Sequence, residues 1–179
     1  MTIVMSNRII SEKIYLITLF IWVVVASLVT TTYFIRLEGF LSLYRILLYF
    51  TIAMILIKEL MNLPKTLYYF IFHWKQLLIV MGLFIAMFIV AKNRDGLLDT
   101  NVLLLVFSAR DIDFRKLLGT FSAATFLVLC LTIYASQQGI IANMFMNADS
   151  GYRFSLGFNY VSFASQRLFF ALCTYLMFR

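Results

Sequence analysis

The run IYLITLFIWVVVASLVTTTYFI, residues 14–35, decides the fold class of this chain. It contains no charged side chain, and three threonines, Thr30, Thr31 and Thr32, lie near its far end. A helix needs about 20 predominantly apolar residues to cross the hydrocarbon core of a bilayer. The run is also too long for the apolar core of a cleavable signal peptide, and no clear cleavage site follows it. It therefore predicts a transmembrane helix.

The composition of the whole chain points the same way. Hydrophobic residues make up 63% of the sequence and charged residues only 13%, whereas soluble domains carry about 25% charged residues. The net charge of +7 is scattered between apolar runs, which indicates topology signals and headgroup contacts rather than nucleic-acid binding. Both cysteines, Cys130 and Cys173, lie inside apolar runs, so no disulfide, metal site or cofactor is predicted.

Further apolar runs continue the pattern at Phe40–Ile57, Gln76–Ala91, Leu97–Ala109, Leu117–Ala135 and Val161–Phe178. The run Leu97–Ala109 reaches only about 20 Å as a helix against a core of about 30 Å, so we expect it to be the least regular span. We predict an all-α, polytopic transmembrane protein with five to six membrane-embedded helices in a single domain over residues 1–179.

The distribution of basic residues predicts the orientation. With a cytoplasmic N-terminus, more Lys and Arg residues fall in inner segments than in outer loops, as the positive-inside rule requires. This orientation makes residues 136–157 an outer loop. We expect a multi-pass protein of a bacterial cell membrane, in contact with membrane lipids.

The segment Gly151–Phe158 brings an arginine, a serine and two glycines to the end of that loop. The Arg153 guanidinium could bind phosphate through two parallel hydrogen bonds, and Gly157 would let backbone amides approach a ligand closely. Ser155 lies between them. The alternative is that Arg153 is an ordinary arginine facing lipid headgroups.

Arg167 lies inside the last apolar run. If the span begins at Phe158, this charge sits near its middle, where an arginine costs at least about 2.5–3.5 kcal/mol. We therefore include Arg167 among the candidate substrate-binding residues. The alternative is that the helix begins after Arg167 and that residues 152–166 are interfacial.

Asp111 and Asp113 resemble a pair of catalytic carboxylates in the sequence. Residues two apart on a helix do not share a face, and basic residues surround the pair, so a solvated cytoplasmic turn is favoured. His73, the single histidine, has no evident ligand partner.

The order of these features resembles a known family. A charged turn, Asp111–Leu117, precedes an apolar span, then Gly139–Asn143, then Arg153–Phe158. This order resembles the middle of Wzy-type polysaccharide polymerases of bacterial capsule, exopolysaccharide and O-antigen pathways, in detail over residues 109–178. The family usually has a Pro-Asn element where this chain reads Asn159-Tyr160.

The resemblance implies polymerisation of oligosaccharide repeat units linked to undecaprenyl pyrophosphate, without a cofactor or an obligatory metal. The growing chain would pass from its lipid carrier to the incoming unit, and Arg153 would bind the pyrophosphate. The pathway's flippase and chain-length regulator are then expected partners.

Family members are considerably longer, so the resemblance implies an N-terminal part only, truncated and inactive unless a second half completes the enzyme. The alternative function is a non-enzymatic membrane scaffold or a transporter subunit. In that case the intramembrane charges would line a path through the protein.

Overall fold

The computed structural model describes residues 2–33, 39–91, 97–148 and 151–178. Most of these residues are helical, which confirms the all-α class. The helices are α1 (Thr2–Leu28), α2 (Phe40–Met61), α3 (Leu63–Phe72), α4 (Trp74–Ala91), α5 (Leu97–Ser108), α6 (Phe114–Gln137) and α7 (Val161–Phe178). A 3-10 turn, Ala109–Asp111, follows α5, and two short strands, β1 (Phe145–Ala148) and β2 (Gly151–Phe154), lie between α6 and α7.

Within the described ranges, two helices are long and apolar enough to cross a membrane. They are Ile9–Leu28 within α1, with 20 residues, and α6, with 24 residues. At 1.5 Å per residue these segments reach about 30 Å and about 36 Å, which matches a hydrocarbon core of about 30 Å. Helix α5, by contrast, has 12 residues and reaches only about 18 Å.

Helix α1 ends earlier than its apolar run because of the threonines. The hydroxyl of Thr30 donates to the carbonyl of Ser27 at 2.7 Å, and that of Thr31 donates to the carbonyl of Leu28 at 2.6 Å. Such side chains compete with the amides for helical carbonyls. The chain therefore leaves the helix after Leu28 and presents Thr30–Thr32 to other elements.

The chain divides into two compact units. The first unit comprises Met1–Leu19 and Arg45–Asp113, and its buried apolar residues include Leu48, Ile55 and Leu105. The second unit comprises Phe20–Tyr44 and Phe114–Arg179.

The core of the second unit joins α6 to α7. It consists of Leu129, Phe158 and Ala164, with Ile133 and Phe163 packed against it. The α7 contribution comes from the start of that helix. This packing fixes the position of the chain just before Val161.

The connection from α6 to the strands begins with a Schellman motif. The amide of Ile140 donates to the carbonyl of Ala135 at 2.9 Å, and the amide of Gly139 donates to the carbonyl of Ser136 at 3.2 Å. Gly139 has φ +68°, the left-handed conformation that this cap requires. The cap ends α6 and turns the chain toward β1.

The strands β1 and β2 form an antiparallel hairpin. Phe145 pairs with Phe154, and Met146 pairs with Arg153. The hairpin was not expected from the sequence, which indicated only a polar outer loop. It places the candidate residues Arg153 and Ser155 at the end of β2 and directly after it.

Candidate functional site

The turn Ser155–Phe158 connects the hairpin to α7. The amide of Phe158 donates to the carbonyl of Ser155 at 3.1 Å, and the central residues Leu156 and Gly157 have φ +53° and +87°. Positive φ at both central positions is the signature of a type I′ turn. The turn reverses the chain within four residues.

Ser155 is buried, and its hydrogen bonds stabilise the hairpin. Its amide donates to the carbonyl of Met144 at 2.8 Å, and its Oγ accepts from the Met144 amide at 3.0 Å. Ser155 thus closes the open end of the hairpin from both directions. In this arrangement its hydroxyl holds the backbone in place.

Gly157 lies where the turn meets the residues that follow α1. Its carbonyl accepts from the amide of Thr32 at 2.9 Å and from the Thr32 hydroxyl at 3.2 Å. An added Cβ would lie 2.7 Å from Ile141 Cδ1 and 3.0 Å from the carbonyl oxygen of Thr132. Glycine is required here because the backbone packs so closely.

Arg153 lies in β2 opposite Met146. Its side chain lies outside the part of the structure that is described. The backbone alone places Arg153 two residues before Ser155, on the strand that leads into the turn.

Arg167 lies within α7, so the helix begins before this residue and not after it. Its guanidinium donates to Ser27 Oγ through Nη1, and to Thr30 Oγ1 through Nη2 at 2.8 Å. The guanidinium carbon also lies 5.6 Å from the centre of the Phe158 ring, within the range of a cation–π contact.

The partners of Arg167 are therefore neutral. Within the described residues its hydrogen bonds go to two hydroxyls, and no carboxylate pairs with it. Charge away from water is costly unless it is paired, which makes Arg167 a candidate residue for anion binding.

The same side chain borders a cavity of about 280 Å³ in the second unit. Its walls come from α1, α6 and α7 and carry four aromatic side chains, Trp22, Phe121, Phe163 and Phe170. Ser27, Thr30, Thr125 and Gln166 add polar groups to the lining. The cavity thus combines an apolar interior with one cationic group.

Several buried polar atoms of the second unit have no hydrogen-bond partner among the described residues. They are Trp22 Nε1, Thr125 Oγ1, Thr132 Oγ1, Ser136 Oγ and Asn159 Oδ1. The first two belong to residues that line the cavity beside Arg167. Most buried polar atoms in proteins are paired, so these five atoms are exceptions.

A second polar cluster lies in the first unit. Lys58 is fully buried, and its Nζ donates to Glu59 Oε1 at 2.9 Å and to the carbonyl of Ser108 at 2.7 Å. Arg110 Nη2 donates to Glu59 Oε2 at 2.7 Å and to Thr66 Oγ1 at 2.7 Å. The cluster ties α2, α3 and α5 together just beyond the apolar run that ends at Ile57.

The charges in this cluster control the ionisation of its carboxylate. Burial alone would raise the pKa of Glu59, but hydrogen bonds from Lys58, Ser108 and Arg110 lower it to about 2. The carboxylate of Asp111 lies 3.8 Å from Arg110 Nε, so this predicted turn residue contacts the outer edge of the cluster.

In the described ranges no three His, Cys, Asp or Glu side chains are close enough to hold a metal ion. Comparison of the chain with known protein families, curated proteins and solved structures finds no match. The function has to be argued from the geometry of the site.

Proposed function

We propose that the chain is a multi-pass protein of a bacterial cell membrane, with five or six embedded helices, a cytoplasmic N-terminus and residues 136–157 outside. Besides the two helices that are long enough to span, the apolar run Phe40–Ile57 of α2 extends about 27 Å. Large apolar side chains are also widely exposed, among them Ile71 at 71% and Leu176 at 66%. Soluble monomers rarely expose large apolar patches, and a bilayer would cover these.

The proposed activity is the polymerisation of oligosaccharide repeat units linked to undecaprenyl pyrophosphate. The observation that carries this proposal is the Arg167 guanidinium, held by neutral hydroxyls at the edge of an aromatic-lined cavity. A ligand that joins a hydrocarbon chain to a phosphate anion suits both parts of the site. A soluble nucleotide sugar would suit only the cation.

In the proposed reaction the growing chain moves from its lipid carrier to the incoming unit. A hydroxyl oxygen of the incoming unit bonds to the anomeric carbon of the growing chain, and its proton passes to water. The bond between that carbon and the pyrophosphate oxygen breaks, and the lipid pyrophosphate leaves with the electron pair. Arg167, together with Arg153 of β2, would bind the pyrophosphate and stabilise the charge that develops there. The buried Ser155 and the close-packed Gly157 would hold the strand and the turn in position.

The test is the polysaccharide ladder of a strain that carries Arg167→Ala at the chromosomal locus. Long polymer should disappear while single repeat units remain, and Arg167→Lys should restore only part of it, because ammonium lacks the planar fork of guanidinium. Lys75→Ala removes an exposed positive charge elsewhere and should leave the ladder unchanged. A normal ladder from Arg167→Ala would overturn the proposal and favour a scaffold or transporter subunit.

A further inference from the structure

We propose that a groove between α6 and α7 binds an acyl chain of an anionic membrane phospholipid, and that Arg115 and Lys116 bind its headgroup. The groove lies in the second unit, and no described residue lines both this groove and the cavity beside Arg167. The inference goes beyond the proposed polymerase activity and does not depend on it. It depends only on the proposed placement of α6 across a membrane, with its first residues at the cytoplasmic face.

The first argument is the size and the lining of the groove. Its volume is about 480 Å³, within the range of about 300–1,000 Å³ that small-molecule sites occupy. Gly119, Ala123 and Ala171 line it with small side chains or none. Ser122 supplies the one side-chain hydroxyl among the described residues that line it. The groove therefore suits a hydrocarbon chain.

The second argument is that the groove opens to the outside of the protein. Three of its lining residues are about half exposed: Phe126 at 55%, Leu172 at 53% and Leu168 at 47%. Helix α6 is long and apolar enough to cross a membrane, so in the proposed placement the groove faces lipid hydrocarbon. An empty groove would lose dispersion contacts along its walls, whereas an acyl chain restores them.

The third argument is the pair of basic residues beyond one end of the groove. Arg115 and Lys116 are exposed residues in the first turn of α6, four and three positions before Gly119. Residues three and four apart share a face of a helix, so both charges lie on the face that carries Gly119, about 4.5–6 Å along the axis. Even with Asp113 counted, residues 113–116 include two basic residues against one acidic residue.

An anionic phospholipid carries its groups in the same order. Its acyl chains lie in the hydrocarbon core, and its phosphate lies at the membrane surface, where long basic side chains extend. The cytoplasmic leaflet contains anionic lipids that attract basic residues next to a membrane span, and the proposed orientation places Arg115 and Lys116 there. A second helix, about 10–12 Å in diameter, is too wide to lie within the groove, so a single acyl chain fits it better.

Native mass spectrometry of the full chain in a non-ionic detergent measures how many lipid molecules bind and how tightly. The probes are phosphatidylglycerol, which is anionic, and phosphatidylcholine with the same acyl chains, which has no net charge. We expect one molecule of phosphatidylglycerol to bind about 25-fold more tightly than phosphatidylcholine, which is about fivefold for each basic residue.

A double variant tests the headgroup end of the groove. Arg115→Ala combined with Lys116→Ala should reduce the affinity for phosphatidylglycerol to that for phosphatidylcholine, because both lipids then meet an uncharged surface. The matched control combines Lys13→Ala with Lys75→Ala. It removes the same number of exposed positive charges from the first unit and should leave the preference unchanged.

Ala123→Leu tests the acyl end of the groove. The leucine side chain would occupy the groove, so both lipids should bind at least about fivefold more weakly, the low end of the cost of overpacking. Ala123 is exposed, so the larger side chain leaves the interior of the protein undisturbed. Leu131→Phe enlarges an exposed residue of the same helix that does not line the groove, and it should leave both affinities unchanged.

Equal affinities of the wild-type chain for the two lipids, or an unchanged preference in the Arg115→Ala, Lys116→Ala chain, would overturn the inference. Unchanged affinities in Ala123→Leu would also overturn it. A lipid-free dimer that dissociates in Ala123→Leu would overturn it as well, because a second copy would then occupy the groove. The polysaccharide ladder of Arg167→Ala is a separate readout, so a normal ladder would refute the polymerase activity and leave this lipid site in place.

Discussion

Replacement of Gly157 by alanine tests how tightly the turn packs in the second unit. The residue has φ +87°, and a left-handed conformation costs an L-residue about 1–2 kcal/mol. The new Cβ would also lie 2.7 Å from Ile141 Cδ1 and 3.0 Å from the Thr132 carbonyl oxygen. The Ile141 methyl can move, but the carbonyl belongs to the backbone of α6, so overpacking adds about 1–3 kcal/mol. Gly157→Ala should therefore destabilise the protein by about 2–5 kcal/mol.

Two other glycines separate these contributions. Gly139 has φ +68°, but an added Cβ there would have no atom within 4 Å, so Gly139→Ala should lose only the backbone share of about 1–2 kcal/mol. Gly82 lies within α4 with equally open space. Gly82→Ala should be neutral or stabilising by up to about 1 kcal/mol.

Thermal unfolding of the purified variants in one detergent, monitored by circular dichroism, measures their order of stability. The melting temperature should fall from Gly82→Ala through wild type and Gly139→Ala to Gly157→Ala. Equal losses in Gly139→Ala and Gly157→Ala would show that the turn does not approach α6 closely. That result would refute the close packing of Gly157 against Thr132.

The remaining predictions concern the first unit and its buried polar groups. Glu59→Gln should lower stability by about 3 kcal/mol, because Lys58 and Arg110 lose their shared carboxylate; a change below 1 kcal/mol in urea or detergent unfolding would contradict this. Because the folded-state pKa of Glu59 is about 2 against an ordinary 4.5, its contribution is present above pH 4.5 and is lost as the pH falls toward 2. Wild type should then lose more stability than Glu59→Gln over that acidic window, and parallel curves would rule the carboxylate out. Tyr15→Phe removes the hydrogen bond to the Leu105 carbonyl at 2.9 Å and should cost about 1–2 kcal/mol, measured against the exposed Tyr49→Phe as control.

Much of the helical framework follows from the sequence because hydrophobic run length dominates it. The run Val161–Phe178 coincides with α7, and Gln76–Ala91 differs from α4 by two residues at its start. The end of α1 was placed too late, because hydropathy does not register the hydroxyls of Thr30 and Thr31 that bond back to the helix.

The hairpin is an element that the length of hydrophobic runs does not predict. The sequence between the two strands is Asp149-Ser150, and Gly151 opens β2; Asp, Ser and Gly are all residues common in turns. The short strands are too brief to change the local hydropathy. Attention to turn chemistry would have identified the hairpin.

The site was only partly predictable. Arg167 stands out in the sequence as a charge in an apolar run, whereas its partners Ser27 and Thr30 lie on α1, far away in the chain. Trp22 and Thr125 look like ordinary residues of apolar helices. Only the structure shows that Trp22 Nε1 and Thr125 Oγ1 are buried without a hydrogen-bond partner among the described residues.

The contacts of Arg167 have a consequence for how the protein is made. Ser27 and Arg167 are 140 residues apart, so at about 5–20 residues per second the ribosome needs roughly 7–28 s to supply the partner. Throughout that time Ser27 Oγ and Thr30 Oγ1 lack the donor that Arg167 supplies in the folded protein. The C-terminal end of α1 is thus among the last segments to reach its native contacts, although α1 is the first helix to be synthesised. Slow translation of α7 would prolong the time during which a protease could cleave the end of α1.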